Sequence, residues 1–242
     1  MNLQWPHEMT NYPEQFSAES ETKKARYFSD FALYYPIEMR QLQRGGLLGK
    51  ENERWRNVAE HCLTEAVGAD ILAEHLGAKR DIVVKAALLH DWYKRYEIET
   101  VQKKGVSGYQ SAAEVGDNLL RANNISEEII RLAHANIPSS EEKKVNKKRT
   151  LEEKIMHYID IITHETEFIP VAERVARAAT KPSYIQLSDS FRKTYHGKNL
   201  FEVQVETGED EQAEFEQRLG LVKGGLISFI KGEFEKRIET HR

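Results

Sequence analysis

The stretch KAALLHDWYK, Lys85 to Lys94, decides how the rest of the chain is read. Four apolar residues, Ala86 to Leu89, run without a turn signal into His90 and Asp91. Unpaired imidazoles and carboxylates are costly to desolvate, so an apolar segment ending on both must deliver them to something that compensates. The preceding Ile82-Val83-Val84 could form a strand by itself. Alanines and leucines follow it directly, and that continuity predicts a short, nearly all-apolar helix at the centre of a bundle.

Working outward, helix remains the dominant pattern. RWRNVAEHCLTEAVGADILAEHLG, Arg54 to Gly77, places Val58, Cys62, Ala66, Ala69, Leu72 and Leu76 at steps of three and four. That is one apolar stripe, with Gly77 suited to the left-handed cap that closes a helix. NNISEEIIRLAHANIP predicts a helix with Ser126 as its N-cap, Glu127 and Glu128 in the first turn, and a stop before Pro138. TLEEKIMHYIDIITHETEF opens with Thr150 and Glu153 in capping-box spacing and ends before Pro170. Two loops are expected, one over Gly105 to Gly108 and one over the charged run Ser139 to Arg149. The second reads as a solvated loop or as a basic lip that guides an anionic ligand. Val203 to Phe215, VQVETGEDEQAEF, is acidic and poorly periodic, and a last amphipathic helix is expected from about Leu221. A weak boundary falls near Pro182. The domain reading is an N-terminal helical extension over 1–50, a metal-binding unit over 51–170, and a mainly helical C-terminal subdomain over 171–242.

Composition sets the outer limits. The chain has 242 residues, 40% hydrophobic and 31% charged, enough for one sizeable core. Its 35 basic and 39 acidic residues give a formal charge of -4, with no basic half, so there is no strong nucleic-acid signal and no membrane-surface signal. The single Cys62 excludes an internal disulfide framework and suits a reducing, cytoplasmic setting. No run approaches a membrane span, and the polar N-terminus has no signal-peptide core. A homo-oligomer stays open.

The chemistry concentrates in a few polar residues set in apolar helix. His61 lies in the striped helix, flanked by Ala59, Cys62 and Leu63. His90 and Asp91 end the next segment, and Asp160 stands between Ile159 and Ile161. Singly, each reads as a hydrogen-bonded core residue. Together, two imidazoles and two carboxylates from three helices are a ligand set for a divalent transition metal. A cation also removes most of the cost of carboxylates in apolar helix.

At His61, the pair His90-Asp91 and Asp160, over Trp55 to Phe168, the chain resembles the HD superfamily of metal-dependent phosphohydrolases. The ALLHD context, the earlier VAEHCLTEA and the late YIDII make the likeness more specific than a bare dipeptide. The resemblance implies an all-α, HD-domain-like bundle with extra N- and C-terminal helices. It implies His61, His90, Asp91 and Asp160 as ligands of a divalent ion: manganese, iron, cobalt, nickel, magnesium or zinc. Two imidazoles disfavour magnesium alone. His134 stands where members with a second metal or an extended substrate site place a histidine. The upstream histidine of those members is missing from GVSGYQSA, so one ion is expected rather than two. Lys94 fits the HDxxK variant, in which the lysine faces the substrate phosphate, with Arg56 and Arg95 as further phosphate-binding candidates. His157 and His164, three and four residues from Asp160, are given no ligand role.

The resulting expectation is a hydrolase acting on a phosphate ester or anhydride of a nucleotide or similar small phosphorylated metabolite. Asp91 and Lys94 are its catalytic side chains. The alternatives are a non-catalytic metal- or nucleotide-binding regulatory module and a plain helical scaffold.

Overall fold

The computed structural model describes residues 23–48, 53–104, 107–135, 149–180, 185, 188–189, 191–193 and 195–241. They form an all-α fold. Helices α1 (Lys23–Leu33) and α2 (Pro36–Arg44) precede the long α3 (Glu53–Leu76) and the short α4 (Arg80–Leu89). Then come α5 (Lys94–Lys104), α6 (Ser107–Ala122), α7 (Glu127–Ala133) and α8 (Leu151–Ile162). A hairpin of β1 (Thr163–His164) and β2 (Glu167–Phe168) leads to α9 (Val171–Ala178), α10 (Leu200–Leu219) and α11 (Leu226–Thr240). No helix among the described residues is long and apolar enough to cross a membrane.

The centre is α3 with α4 folded back along it. Cys62, Ala66, Ala69 and Leu72 of the expected stripe are buried, and Val58 and Leu76 pack at its margins. Gly77 adopts φ 75°, and Ala78 N donates to Ala73 O at 2.9 Å, the 6→1 bond of a Schellman closure. The reversal brings α4 under α3, where Val83, Val84 and Ala86 to Leu89 are all buried. Burial on nearly every side settles helix over strand for the Ile-Val-Val run, since the segment lies within a helical layer. Truncating a fully buried side chain such as Leu88 to alanine would cost about 2–5 kcal/mol.

Helix α8 packs across both α3 and α4 through Ile155, Met156, Ile159 and Ile162. Its start follows the sequence expectation: Thr150 and Glu153 form a complete capping box, with bonds of 3.2 and 2.9 Å. Ser126 likewise caps α7, accepting from Ile129 N. Each cap contributes about 1 kcal/mol.

Three expectations need correction. Ser107 and Gly108, expected in a loop, begin α6. Val203 to Phe215, expected to be poorly ordered in pattern, lies inside the helix α10, which a second capping box between Asn199 and Glu202 starts. Its acidic residues find partners there: buried Glu211 accepts from Arg149 and lies 2.5 Å from His157 Nδ1, tying α10 to α8. The last helix starts at Leu226 rather than near Leu221, because Gly220 and Gly224 take positive φ and make a turn of that stretch. Residues 1–22, Gly105, most of the charged run from Ser139 and the boundary near Pro182 lie outside the described residues.

Candidate metal centre

Three elements converge on one point. His61 and Glu65 are one turn apart on α3 and so share a face. Helix α4 ends at Leu89, and His90 caps it while still in helical conformation. Asp91 follows in the turn before α5. Asp160 stands in the last turn of α8, just before the hairpin. The apolar residues of α4 thus form a buried post whose end presents His90 and Asp91.

The distances define the cluster. His61 Nε2 lies 2.8 Å from Glu65 Oε1 and 4.0 Å from Asp160 Oδ1. His90 Nε2 lies 3.9 Å from Asp160 Oδ1 and 3.8 Å from Asp91 Oδ2, and its Nδ1 is 3.2 Å from Glu65 Oε2. One donor atom from each of His61, Glu65, His90 and Asp160 lies within 4.8 Å of the others, close enough to hold a single cation. Asp91 borders this group without belonging to it.

Hydrogen bonds on the far side of each ring fix the tautomers. His61 Nδ1 is 3.1 Å from the carbonyl of Glu165, at the hairpin turn, and His90 Nδ1 is 2.8 Å from the carbonyl of Ala87. A carbonyl only accepts, so each Nδ1 carries the proton and, in the neutral ring, each Nε2 presents a bare lone pair. His90 Nε2 and both oxygens of Glu65 are buried without a well-formed hydrogen bond. With the rings neutral, the Nε2 lone pairs face carboxylate oxygens, while His90 Nδ1 lies 3.2 Å from Glu65 Oε2.

The titration behaviour follows. Burial alone would depress His90, but Glu65 and Asp91 raise it well above the ordinary imidazole value; His61 is raised in the same way, chiefly against burial by Glu65. Burial pushes the Glu65 carboxyl up more strongly than the two imidazoles pull it down. For Asp160 the balance reverses, and His90, Arg174 and His61 overcome burial to hold it low. The cluster seeks positive charge, and protons and a divalent ion compete for the same lone pairs.

Residues 58–165 match the family model for the HD domain. The match spans His61, His90-Asp91 and Asp160 in their family order. Residues 58–165 are an HD domain. HD domains bind divalent metals, and the donor set here suits one. No curated protein and no solved structure matches the chain.

The other residues singled out in the sequence sit around this HD-domain cluster at differing removes. Lys94 Nζ lies 3.0 Å from Asp91 Oδ1 and 3.9 Å from Glu97 Oε2, beside the centre. Lys94, ahead of His90 and His61, overcomes burial to hold the Asp91 carboxyl far below the usual range. His134, at the end of α7, is held by Asp117 of α6 at 2.5 Å. Arg95 is engaged elsewhere, bonded to Glu99 at 3.1 Å and lying over the Trp55 ring. The Arg56 side chain lies outside the described residues. His157 is fully buried against Glu211, and His164 is on β1. Glu65 is a member of the cluster that the sequence expectation does not include. Its signal was the HCLTE spacing, which puts a carboxylate one turn from His61 among the apolar residues Cys62, Ala66 and Ala69.

Proposed function

We propose that the HD domain hydrolyses a phosphate ester or anhydride of a nucleotide or similar small phosphorylated metabolite, using one divalent ion. The observation that carries this reading is the convergence of the bare Nε2 lone pairs of His61 and His90 with the Asp160 carboxylate, beside a lysine. His61, His90 and Asp160 are the donors common to the sequence order and the cluster, and they would hold the ion. When bound, such an ion acidifies water and screens phosphate oxygens.

The remaining work falls to the chain's own side chains. Held between Asp91 and Glu97, the Lys94 ammonium is poised to contact a phosphoryl oxygen and to stabilise the charge that grows there in the transition state. Asp91 Oδ2, turned toward His90, is the proton acceptor. As a water oxygen bonds to phosphorus, its proton passes to that carboxylate while the bond from phosphorus to the leaving oxygen breaks.

A screen of phosphorylated metabolites with several divalent ions and a chelator control tests the reading. Turnover that needs metal and is lost with chelator is the expected result. Metal retention without turnover of any phosphate ester or anhydride would make the site a binding module instead.

A further inference from the structure

Arg95, one of the expected phosphate-binding arginines, is tied to Glu99 and Trp55, but another arginine stands at the far edge of the centre. We propose that Arg174 of α9, beyond the matched residues 58–165, binds the substrate phosphate on the Asp160 side of the centre, while Lys94 binds it on the Asp91 side. This rests on the phosphohydrolase reading above and adds to it a specific contact with the substrate.

Helix α9 lies on α8 and α10, with Val171 and Val175 buried beneath it. Arg174, partly buried beside them, donates from Nε to the Thr163 carbonyl at 2.7 Å. Thr163 N in turn donates to the Asp160 carbonyl, so the guanidinium is fixed to the turn of backbone that carries the Asp160 side chain. Only Nε is used. Among the described residues no acceptor meets either terminal nitrogen of Arg174, and no carboxylate forms an ion pair with it. The two terminal nitrogens therefore present a planar fork whose spacing matches two oxygens of one phosphate. Anchoring Nε also removes, before binding, part of the freedom that a long side chain would lose on gripping a ligand.

The positive charge reaches the centre. Burial pushes the Asp160 carboxyl up, and the groups that overcome it are His90 first, then Arg174, then His61. Arg174 thus acts on Asp160 more strongly than an imidazole whose Nε2 lies 4.0 Å from Oδ1. The polar groups run in a row. Lys94 meets Asp91 Oδ1 at 3.0 Å, Asp91 Oδ2 lies 3.8 Å from His90 Nε2, and His90 Nε2 lies 3.9 Å from Asp160 Oδ1, with Arg174 at that end. Two cations on opposite flanks, one a point charge and one a fork, suit a phosphoryl group held between them.

The test uses the full chain loaded with Mn2+ and inorganic phosphate as the probe, titrated calorimetrically into wild type, Arg174→Gln and Arg174→Lys. Metal content after dialysis and the thermal midpoint are read on each. Arg174→Gln should keep its ion and bind phosphate about ten- to a hundred-fold more weakly, the loss expected when charge-assisted bonds are removed. Arg174→Lys should recover only part of that affinity, because a point charge replaces the fork. Phosphate affinity at the wild-type level in Arg174→Gln overturns the assignment. So does a variant that loses its ion along with its phosphate, since Arg174 would then act only through the Thr163 backbone. Should the glutamine variant fail to fold, Arg174→Lys decides, and wild-type affinity there overturns the fork. Wild type that holds an ion yet binds no phosphate contradicts the phosphohydrolase reading itself, which separates the two failures.

Discussion

Helix α3 carries two buried carboxylates five positions apart, and they have opposite surroundings. Asp70 accepts from Arg80 at 2.8 and 2.9 Å and from Arg237 at 2.6 Å, so both oxygens are bonded to guanidinium groups. Glu65 has only two imidazole nitrogens and another carboxylate near it, and neither oxygen is properly bonded. Burial acts to raise both carboxyls. At Asp70 the guanidiniums overcome it and the group is held below its ordinary value, while at Glu65 burial prevails and the group is raised. The first carboxylate is a rivet between α3, α4 and α11, complete in itself. The second belongs to a socket of donor atoms that could hold a cation.

The most severe way to break this comparison is to empty the socket by mutation. Asp160→Asn should lose the bound ion and reduce turnover by about a thousand-fold or more, read as metal content and steady-state rate on a substrate from the screen. Unchanged values would mean that the cluster is another rivet. Next comes Lys94→Ala, for which a loss of about 2–4 kcal/mol of transition-state stabilisation is expected, roughly thirty- to a thousand-fold in rate. A protonated lysine cannot ligate a metal, so metal content should not change. If Lys94→Ala also loses its ion, the lysine is structural.

On the rivet side the effects are on stability alone. Asp70→Ala leaves Arg80 and Arg237 with Glu74 as their remaining anionic partner, and Arg80 is half exposed, so denaturant unfolding should show a loss of about 1–2 kcal/mol. Metal content should stay at the wild-type level. The smallest effect is a pH dependence. Because the folded Asp70 carboxyl is depressed, its stabilisation is fully present above the unfolded pKa, near ~4, and is lost as pH falls through the lower folded value. Wild type should therefore lose stability on acidification below about pH 4 more steeply than Asp70→Asn. Parallel acid curves would remove Asp70 from the rivet.

Much of this contrast is visible in the sequence, and the physical reasons for the exceptions are specific. His61, His90, Asp91 and Asp160 stand out because each interrupts apolar helix, and Thr150-Glu153 and Ser126 announce their helices through local bonds. Glu65 escapes notice because glutamate is common on helices, and only the tertiary position of α3 makes its face an interior one. Helix α10 is hidden for the opposite reason: its acidic residues look solvated until Arg149, just ahead of α8, and His157 within it arrive. Gly208 looks like a helix breaker there, but a side chain at that position would collide with Ile161 and Val171, so the glycine is what lets α10 lie against α8. The hairpin after Ile162 depends on Glu165 taking φ 55°, a conformation that no residue type in THETEF advertises, yet its carbonyl sets the tautomer of His61.

The most direct test of the socket is the thermal midpoint of the full wild-type chain, measured in chelator and again after loading with Mn2+, Co2+, Ni2+ or Zn2+, alongside the metal content per chain. Binding to the folded state alone raises stability by about 2.7 kcal/mol at a ligand concentration 100-fold above Kd. The structure therefore predicts uptake of one ion per chain and a rise in midpoint of several degrees that chelator reverses. A midpoint that no divalent ion moves, with no ion retained after dialysis, would contradict it and leave His61, Glu65, His90 and Asp160 as buried polar residues of a helical core.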